Sequence, residues 1–358
     1  MSMRGARAAS LLLGMLLVGG CAPAEEGSRL AGLTEQLVAT PYFQPYDLPA
    51  VTLTDQDGAP FELRARAAGK VTLLYFGYTS CPDVCPITMA RMARSLAMLE
   101  PEERARILPV FISLDAERDT PEQVREWVGA LHPDIVGLTG PQERLDAAVE
   151  GMGFVFPDME RPAEGFYEVA HPVDLFIFTP ELLGRFGYDH GQATPEEIAA
   201  DLKALVAFEW GGSGDAAAPG QAGGPSSDPA ETAGVQVADA FALDPLGQDR
   251  LALYATLRNA GVRADALIGV ASPSGRSASL HRMVSEEGMM RMEPVDVVPL
   301  PPGETVRLEP GGLHAMVEGL LSSPVAGDSL EVTFRFANTD ALTRWIPVRH
   351  PADVTAHP

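Results

Sequence analysis

The sequence predicts two domains of different class, an α/β domain followed by an all-β domain. Three observations carry this. From Val71 to Phe208, apolar runs of strand length alternate with segments of helical periodicity. From Leu251 to Phe336 the alternation has period two, and no long helix interrupts it. Between them, Gly211 to Thr232 is almost entirely Gly, Ala, Ser, Pro and Asp and has little to bury. That composition is a flexible linker, with a typical end-to-end distance of roughly 25 Å. A length of 358 residues agrees with two domains. The expected organisation is a signal at 1–20, a tether at 21–44, a first domain at 45–210, a linker at 211–232, a second domain at 233–350 and a tail at 351–358.

The first domain is read in order. Val51-Thr52-Leu53-Thr54 followed by Asp55-Gln56-Asp57-Gly58 is a strand and a turn. Val71-Thr72-Leu73-Leu74-Tyr75-Phe76 is a buried strand, and Met89, Met92, Leu96 and Leu99 mark one face of the helix after it. Ile107 to Leu114 is a second strand. Thr120-Pro121-Glu122 opens a helix to about Leu131, with threonine as cap and proline in the first turn. Ile135–Leu138 and Val173–Phe178 are strands, and Pro141–Glu150 and Thr194–Phe208 are helices. In the second domain, Leu251–Leu257, Thr305–Glu309 and Glu331–Phe336 alternate, with turns such as Pro302-Gly303 and Pro310-Gly311-Gly312 between them.

Charge and the N-terminus bound the function. Forty-nine acidic against 26 basic residues give a net charge of -23. That excludes nucleic acid as a partner, since phosphate binding needs a basic surface. Arg4 and Arg7 precede an apolar run, Ala8 to Val18, that is too short to span a bilayer and has the shape of a signal peptide. Gly19-Gly20-Cys21 after it resembles the lipobox of bacterial lipoproteins. The resemblance implies lipidation of Cys21 and attachment to the cell membrane, facing the periplasm or cell exterior. An ordinary secretory signal with an incidental cysteine is the alternative. Either way the chain works where thiols tend to oxidise.

Of the three cysteines, Cys81 and Cys85 remain as a pair with three residues between them. They lie at a strand-to-helix junction, where backbone N–H groups and the helix dipole favour thiolate. Thiolate binds soft metals and exchanges disulfides; a structural disulfide or two inert thiols is the plainer alternative. Pro82, Asp83 and Pro86 suggest a turn rather than a core position. A strand, a cysteine pair at a helix start and further βα units are thioredoxin-like. The run Phe76-Gly-Tyr-Thr-Ser-Cys81-Pro-Asp-Val-Cys85-Pro resembles the SCO/SenC family, as does Ile112-Ser-Leu-Asp115 followed by Glu117-Arg-Asp-Thr-Pro-Glu122. The resemblance covers roughly Pro45 to Trp210. It implies copper bound by Cys81, Cys85 and a distant histidine, matched here by His171, and service to the CuA centre of cytochrome c oxidase. Two thiolates and an imidazole suit Cu(I), and Cu(II) at this site stays open. The family usually has Asp before this histidine and Ser or Ala after it, whereas Ala170 and Pro172 flank it here. His132 and His190 are read as surface residues. Thr79-Ser80-Cys81 lacks the Thr-x-x-Cys spacing of peroxiredoxins.

The second domain carries Met283, Met289, Met290 and Met292 in a short cluster, which in most β domains would be core packing. Here histidines accompany them. Ten residues separate His281 from Met292, and 21 more precede His314-Ala315-Met316. This spacing resembles the periplasmic copper chaperone family called PCuAC, over about Ala233 to Val348. So do Leu251–Asn259, Glu287–Val295 and Gly311–Met316. The resemblance implies a cupredoxin-like β-sandwich with His281, Met292, His314 and Met316 as ligands. Thioethers are soft and neutral and form no disulfides, so with imidazole they hold Cu(I) in an oxidising compartment. Met283 and Met290 lie near enough to be substitute ligands or a transfer step, with packing the preferred reading, and His350 and His357 fall in the tail.

Together these readings imply a membrane-anchored metallochaperone rather than an enzyme, acting on the CuA-bearing subunit of cytochrome c oxidase. Tethering would bring the two domains to a mutual concentration of roughly millimolar. The alternative is a thiol–disulfide reductase working on Cys81 and Cys85 for the oxidase cysteines, with the β domain as copper carrier or buffer. Copper storage is a third reading.

Overall fold

The computed structural model describes residues 23–155, 167–189, 193–210, 234–286 and 289–354. The first domain comprises α1 (Pro23–Thr34), β1 (Thr40–Asp47), β2 (Thr52–Asp55), β3 (Pro60–Glu62), α2 (Leu63–Ala67), β4 (Val71–Gly77), α3 (Val84–Ala97), α4 (Pro101–Arg104), β5 (Ile107–Ser113), α5 (Pro121–Leu131), β6 (Val136–Thr139), α6 (Gln142–Glu150), β7 (His171–Pro172), β8 (Leu175–Phe178), β9 (Leu183–Tyr188) and α7 (Pro195–Ala207). An eight-stranded sheet runs β1-β9-β8-β4-β5-β6-β2-β3. Its centre, β4-β5-β6, is parallel. Every residue of β4 and β5 is buried, as expected of parallel strands covered by helices on both faces. Thr120 and Thr194 each close a capping box with the residue three further on, and a proline follows each at the first helical position.

Two expectations for this domain are corrected. The described part of the 21–44 stretch is no bare tether: it forms α1 and the start of β1. Leu30 and Leu33 are buried in the domain core, and β1 adds to the sheet edge at β9. The Asp201 carboxylate of α7 pins the connection by accepting from the N–H groups of Val38 and Ala39 at 3.1 and 2.8 Å. The expected strand Val173–Phe178 is shortened to β8, and the two residues before it, His171 and Pro172, form β7, which pairs with a different sheet.

The second domain is all β: β10 (Val235–Leu243), β11 (Arg250–Asn259), β12 (Asp265–Ala271), β13 (Ser277–Glu286), β14 (Met289–Pro294), β15 (Val298–Leu300), β16 (Thr305–Leu308), β17 (Leu313–Glu318), β18 (Ser329–Phe336) and β19 (Leu342–Arg349). Their order is β15-β12-β18-β19-β10-β11-β17-β13-β14, with β16 paired to β11. The two ends fold over a core of residues such as Leu253, Leu257, Leu267, Val332 and Phe334. In β11, residues 251–255 are all buried instead of alternating. The face expected to meet water is covered: Ala252 and Tyr254 pack with Phe241 and Leu243 against Ile87 of α3 and Val354.

That contact joins the domains. β7 of the first domain lies beside β14 of the second, with Pro172 opposite Met289 and His171 opposite Met290. The described part of the tail is also seated, as a 3-10 turn at Pro351–Asp353. Arg91 of α3 donates to the Val354 carbonyl at 2.6 Å, and Arg94 to the Asp353 carboxylate at 2.6 Å. His350 accepts from the Ala352 N–H, capping this turn.

Candidate metal centre

The first site forms where β4 gives way to α3. Cys81 lies in the connecting turn and Cys85 in the first turn of the helix. His171 comes from β7. One ligand atom from each of the three lies within 4.8 Å of the others. The Cys85 Sγ is 3.5 Å from His171 Nε2. The His171 Nδ1–H donates to the Pro172 carbonyl at 2.9 Å, which turns the Nε2 lone pair toward the sulfurs. A carbonyl of the flanking proline thus does the orienting that a neighbouring carboxylate would otherwise do. Tyr75 and Tyr78 stand edge-on to the ring, with centroids 6.0 and 5.8 Å away.

Both cysteines are free thiols and both are buried. The turn reading was correct, but the turn is not exposed. Burial alone pushes Cys81 up, yet hydrogen bonding from Cys85 and the nearby His171 outweigh it and hold Cys81 well below the usual thiol range. Burial and the neighbouring Cys81 push Cys85 well up. The two shifts run in opposite directions because each thiol answers the other. Two sulfurs and one imidazole nitrogen converging on one point fit copper.

Support comes from the second stretch that resembles SCO/SenC. Asp119 accepts from the Thr79 N–H at 2.7 Å and from the Ser113 hydroxyl, tying the cysteine turn to the end of β5. Gly77, at the end of β4, leaves the room the site needs: a Cβ there would fall 2.8 Å from Cys85 Sγ and 3.1 Å from the Phe111 ring. Gly77→Ala is expected to displace Cys85 and weaken copper at this site about tenfold, as loss of a supporting contact does. Copper competition with the second site intact checks it.

The second site is built by strand register. In β13, β14 and β17, His281 lies opposite His314, Met283 opposite Met292, and Ser279 opposite Met316. Opposed residues share a face, so all four predicted ligands occupy one side of the sheet. The two imidazoles stack with centroids 5.8 Å apart and planes 17° from parallel. His314 Nδ1–H donates to the Gly312 carbonyl at 3.2 Å, and its buried Nε2 has no hydrogen-bond partner. His281 pairs with the Ser279 hydroxyl at 2.7 Å through Nε2, leaving its buried Nδ1 without one. Burial and the facing His314 push His281 down to about 4, so it is a neutral ligand at ordinary pH. Two ring nitrogens without hydrogen-bond partners share this face with Met292 and the fully buried Met316, and imidazole with thioether is a donor set that fits a soft cation.

Met283 and Met290 do pack, but not on their own domain. Met290 belongs to the buried cluster of the first domain, and Met283 packs against that cluster. His132 is half-buried, accepting from the Asp134 N–H after α5. Cys21, His190 and His357 lie outside the described residues.

Two carboxylates missed in the sequence complete the picture. Asp83, between the cysteines, is fully buried. It accepts from the Tyr254 hydroxyl and from the Gly311 N–H at 3.2 Å, and it lies 3.7 Å from His314 Nδ1. Glu168 accepts from the Met292 N–H at 2.9 Å; burial and the neighbouring Cys81 push it up to about 8. Nothing in their sequence context distinguishes these acids from surface ones.

Comparison with known proteins agrees with this division. The SCO1/SenC family model matches residues 45–207, and an LpqE-like lipoprotein model matches residues 235–348. Protein SenC of Rhodobacter capsulatus is 37% identical over 153 residues, covering 40% of this chain and 68% of that protein. Mitochondrial protein SCO2 of Saccharomyces cerevisiae is 34% identical over 164 residues, covering 44% of this chain and 53% of that protein. This chain thus spans about half the length of the yeast relative. Among solved structures, apo Sco1 of Thermus thermophilus is 32% identical with a TM-score of 0.42, covering 47% of this chain and 96% of that one. The copper-bound PCuAC domain from PmoF2 is 28% identical with a TM-score of 0.29, covering 34% of this chain and 97% of that one. The chain belongs to the SCO1/SenC family, and it carries behind that domain a second one of the LpqE-like, PCuAC type.

Proposed function

We propose that this protein is a two-site copper chaperone that carries Cu(I) as cargo and delivers it for assembly of the CuA centre of cytochrome c oxidase. The observation that carries the reading is the pair of soft donor sets. Cys81, Cys85 and His171 converge within 4.8 Å, and two imidazoles with unpartnered buried nitrogens share a face with Met292 and Met316. The oxidase subunit as recipient follows from the resemblance to SCO/SenC. The signal-like N-terminus and the LpqE-like lipoprotein match support a lipid anchor at Cys21 and a site of action outside the cytoplasm. Among the described residues, no helix is long and apolar enough to cross a membrane.

Copper stoichiometry tests the reading. The soluble chain starting after Cys21 is titrated anaerobically, in reduced form, with Cu(I) against a competing chelator. Two tight equivalents are expected, of which His314→Ala removes the one held by the β domain. A single equivalent, held by the β domain alone, would overturn it. In cells, deletion is expected to leave the oxidase without CuA in copper-poor medium; normal CuA content would refute the delivery role.

A second reading is favoured by one feature. Hydrogen bonding from Cys85 and His171 draws Cys81 down while burial and Cys81 push Cys85 up, the order that an attacking and a resolving thiol need. A reductase acting on oxidase cysteines needs these thiols and not His171 as a ligand. His171→Ala separates the two: copper binding at the first site and CuA assembly lost together mark the chaperone, and disulfide reduction and assembly retained without that copper mark the reductase.

A further inference from the structure

One ligand of the first donor set, His171, lies on the same continuous sheet face as the second set. β7 brings His171 opposite Met290 of β14. Met290 and Met292 alternate along β14 on the same side, Met292 faces Met283 of β13, Met283 and His281 alternate in turn, and His281 faces His314. Opposed residues in an antiparallel pair have Cα atoms about 4.5–5.5 Å apart, and i,i+2 neighbours on a strand about 7 Å. From the imidazole of the first site to the imidazoles of the second, every position on this line is a soft donor. Met290 and Met283, the two not needed as ligands, fill the gap between the sites.

The line is buried at its ends and at Met290 and half-buried at Met283, Met292 and His281. Met290 is 8% exposed, Cys85 and His314 are fully buried, and His171 is 2% exposed. Both methionines contact the core of the other domain rather than their own. An interface asking only for apolar volume could use leucine or isoleucine, which have better-defined rotamers. A methionine has three rotatable bonds and a neutral sulfur that can swing between adjacent steps. The carboxylates of Asp83 and Glu168 flank the line and hold the domains in register through Tyr254, Gly311 and Met292.

We propose that Met283 and Met290 are a thioether relay that passes Cu(I) between the His/Met site of the β domain and the Cys/Cys/His site while the domains stay docked. This rests on the two-site reading above. The ion remains Cu(I) throughout. Each step breaks one copper–sulfur or copper–nitrogen bond as the next forms, between neutral donors. At the thiol end the copper–sulfur bonds to Cys81 and Cys85 form as the last copper–thioether bond breaks, and one proton is released for each sulfur that binds from its thiol form.

The test uses the whole chain from residue 22 onward. Cys81 and Cys85 are first oxidised to a disulfide, so that one equivalent of Cu(I) resides on the β domain. Excess water-soluble phosphine then reduces the disulfide without oxygen, and stopped-flow ultraviolet absorption follows the appearance of the copper–thiolate band. The phosphine is raised until the rate no longer depends on it. In Met283→Leu/Met290→Leu, which conserves volume, the rate is expected to fall at least about tenfold. The final thiolate absorbance and the two-equivalent total should stay unchanged. Equal rates would overturn the relay while leaving the two-site reading intact. A native chain that binds only one equivalent would overturn both.

A second measurement needs no variant. With methionine methyl groups labelled, substoichiometric Cu(I) should shift or broaden the Met283 and Met290 resonances in addition to those of Met292 and Met316. Sharp, unmoved resonances at both positions would overturn the relay.

Discussion

Cys85→Ser is expected to abolish tight Cu(I) binding at the first site, lowering its affinity by more than about 100-fold, beyond what loss of a supporting partner costs. Three terms act in the same direction. A hydroxyl is a hard donor that does not ionise at neutral pH, so one of two thiolate bonds is lost. Cys81 also loses the hydrogen bond from Cys85 that helps hold it as a thiolate. Finally, His171 Nε2 loses the sulfur 3.5 Å away. The β-domain equivalent should be unaffected, because none of its ligands is supplied by this turn. Anaerobic competition against a Cu(I) chelator reads both sites in one titration. Two tight equivalents in the variant would show that Cys85 is not a ligand.

Asp83→Ala is expected to open the two domains. The carboxylate is fully buried and accepts from two groups of the other domain, the Tyr254 hydroxyl and the Gly311 N–H. Its removal leaves the Tyr254 hydroxyl buried and unpaired, at about 1–3 kcal/mol, and takes the partner of the half-buried Gly311 N–H, at about 1 kcal/mol more. A loss of about 2–4 kcal/mol lowers the ratio of docked to open molecules on the order of 30- to 1000-fold. Small-angle X-ray scattering should report a larger radius of gyration, and amide exchange should quicken at Met290, which pairs with His171 in the closed form. Asp83→Asn keeps an acceptor oxygen and should be milder. Unchanged scattering and protection in Asp83→Ala would show that apolar contacts around Ile87 and Tyr254 suffice to hold the domains.

The closed form has a functional consequence. Cys81 is 6% exposed and Cys85 is inaccessible, so a protein acceptor cannot reach either thiol in this arrangement. Exchange between the two sites and delivery to a third protein therefore need different arrangements of the same chain. Asp83 lies between the two cysteines and bonds across the interface, so the turn that would hold copper also helps hold the domains together.

Much of this was legible in the sequence, and the parts that were are local. The buried strand Val71–Phe76, the cysteine pair before a helix, and the Thr-Pro starts at Thr120 and Thr194 are each written in a few adjacent residues. Period, capping chemistry and proline placement act over one or two turns. The His and Met spacings of the second domain were equally readable, because a β-ladder converts spacing into a shared face.

Only tertiary structure decided the rest. Asp83 and Tyr254 are 171 residues apart, and no local rule pairs a particular carboxylate with a particular hydroxyl. Leu30 and Leu33 looked like part of a tether because two leucines in a short polar stretch show no sustained period; the groove they fill is made by later elements. His171 read as lying just before a strand, but with Pro172 it joined the sheet of the other domain, because the β14 edge lay beside it. Met283 and Met290 were read correctly as packing residues, but the sequence did not reveal what they pack against. A sequence records which donors are present and how they repeat. Which of them face one another across a domain boundary depends on how two separately patterned surfaces fit, and that is set by burial and hydrogen bonding between residues distant in the chain.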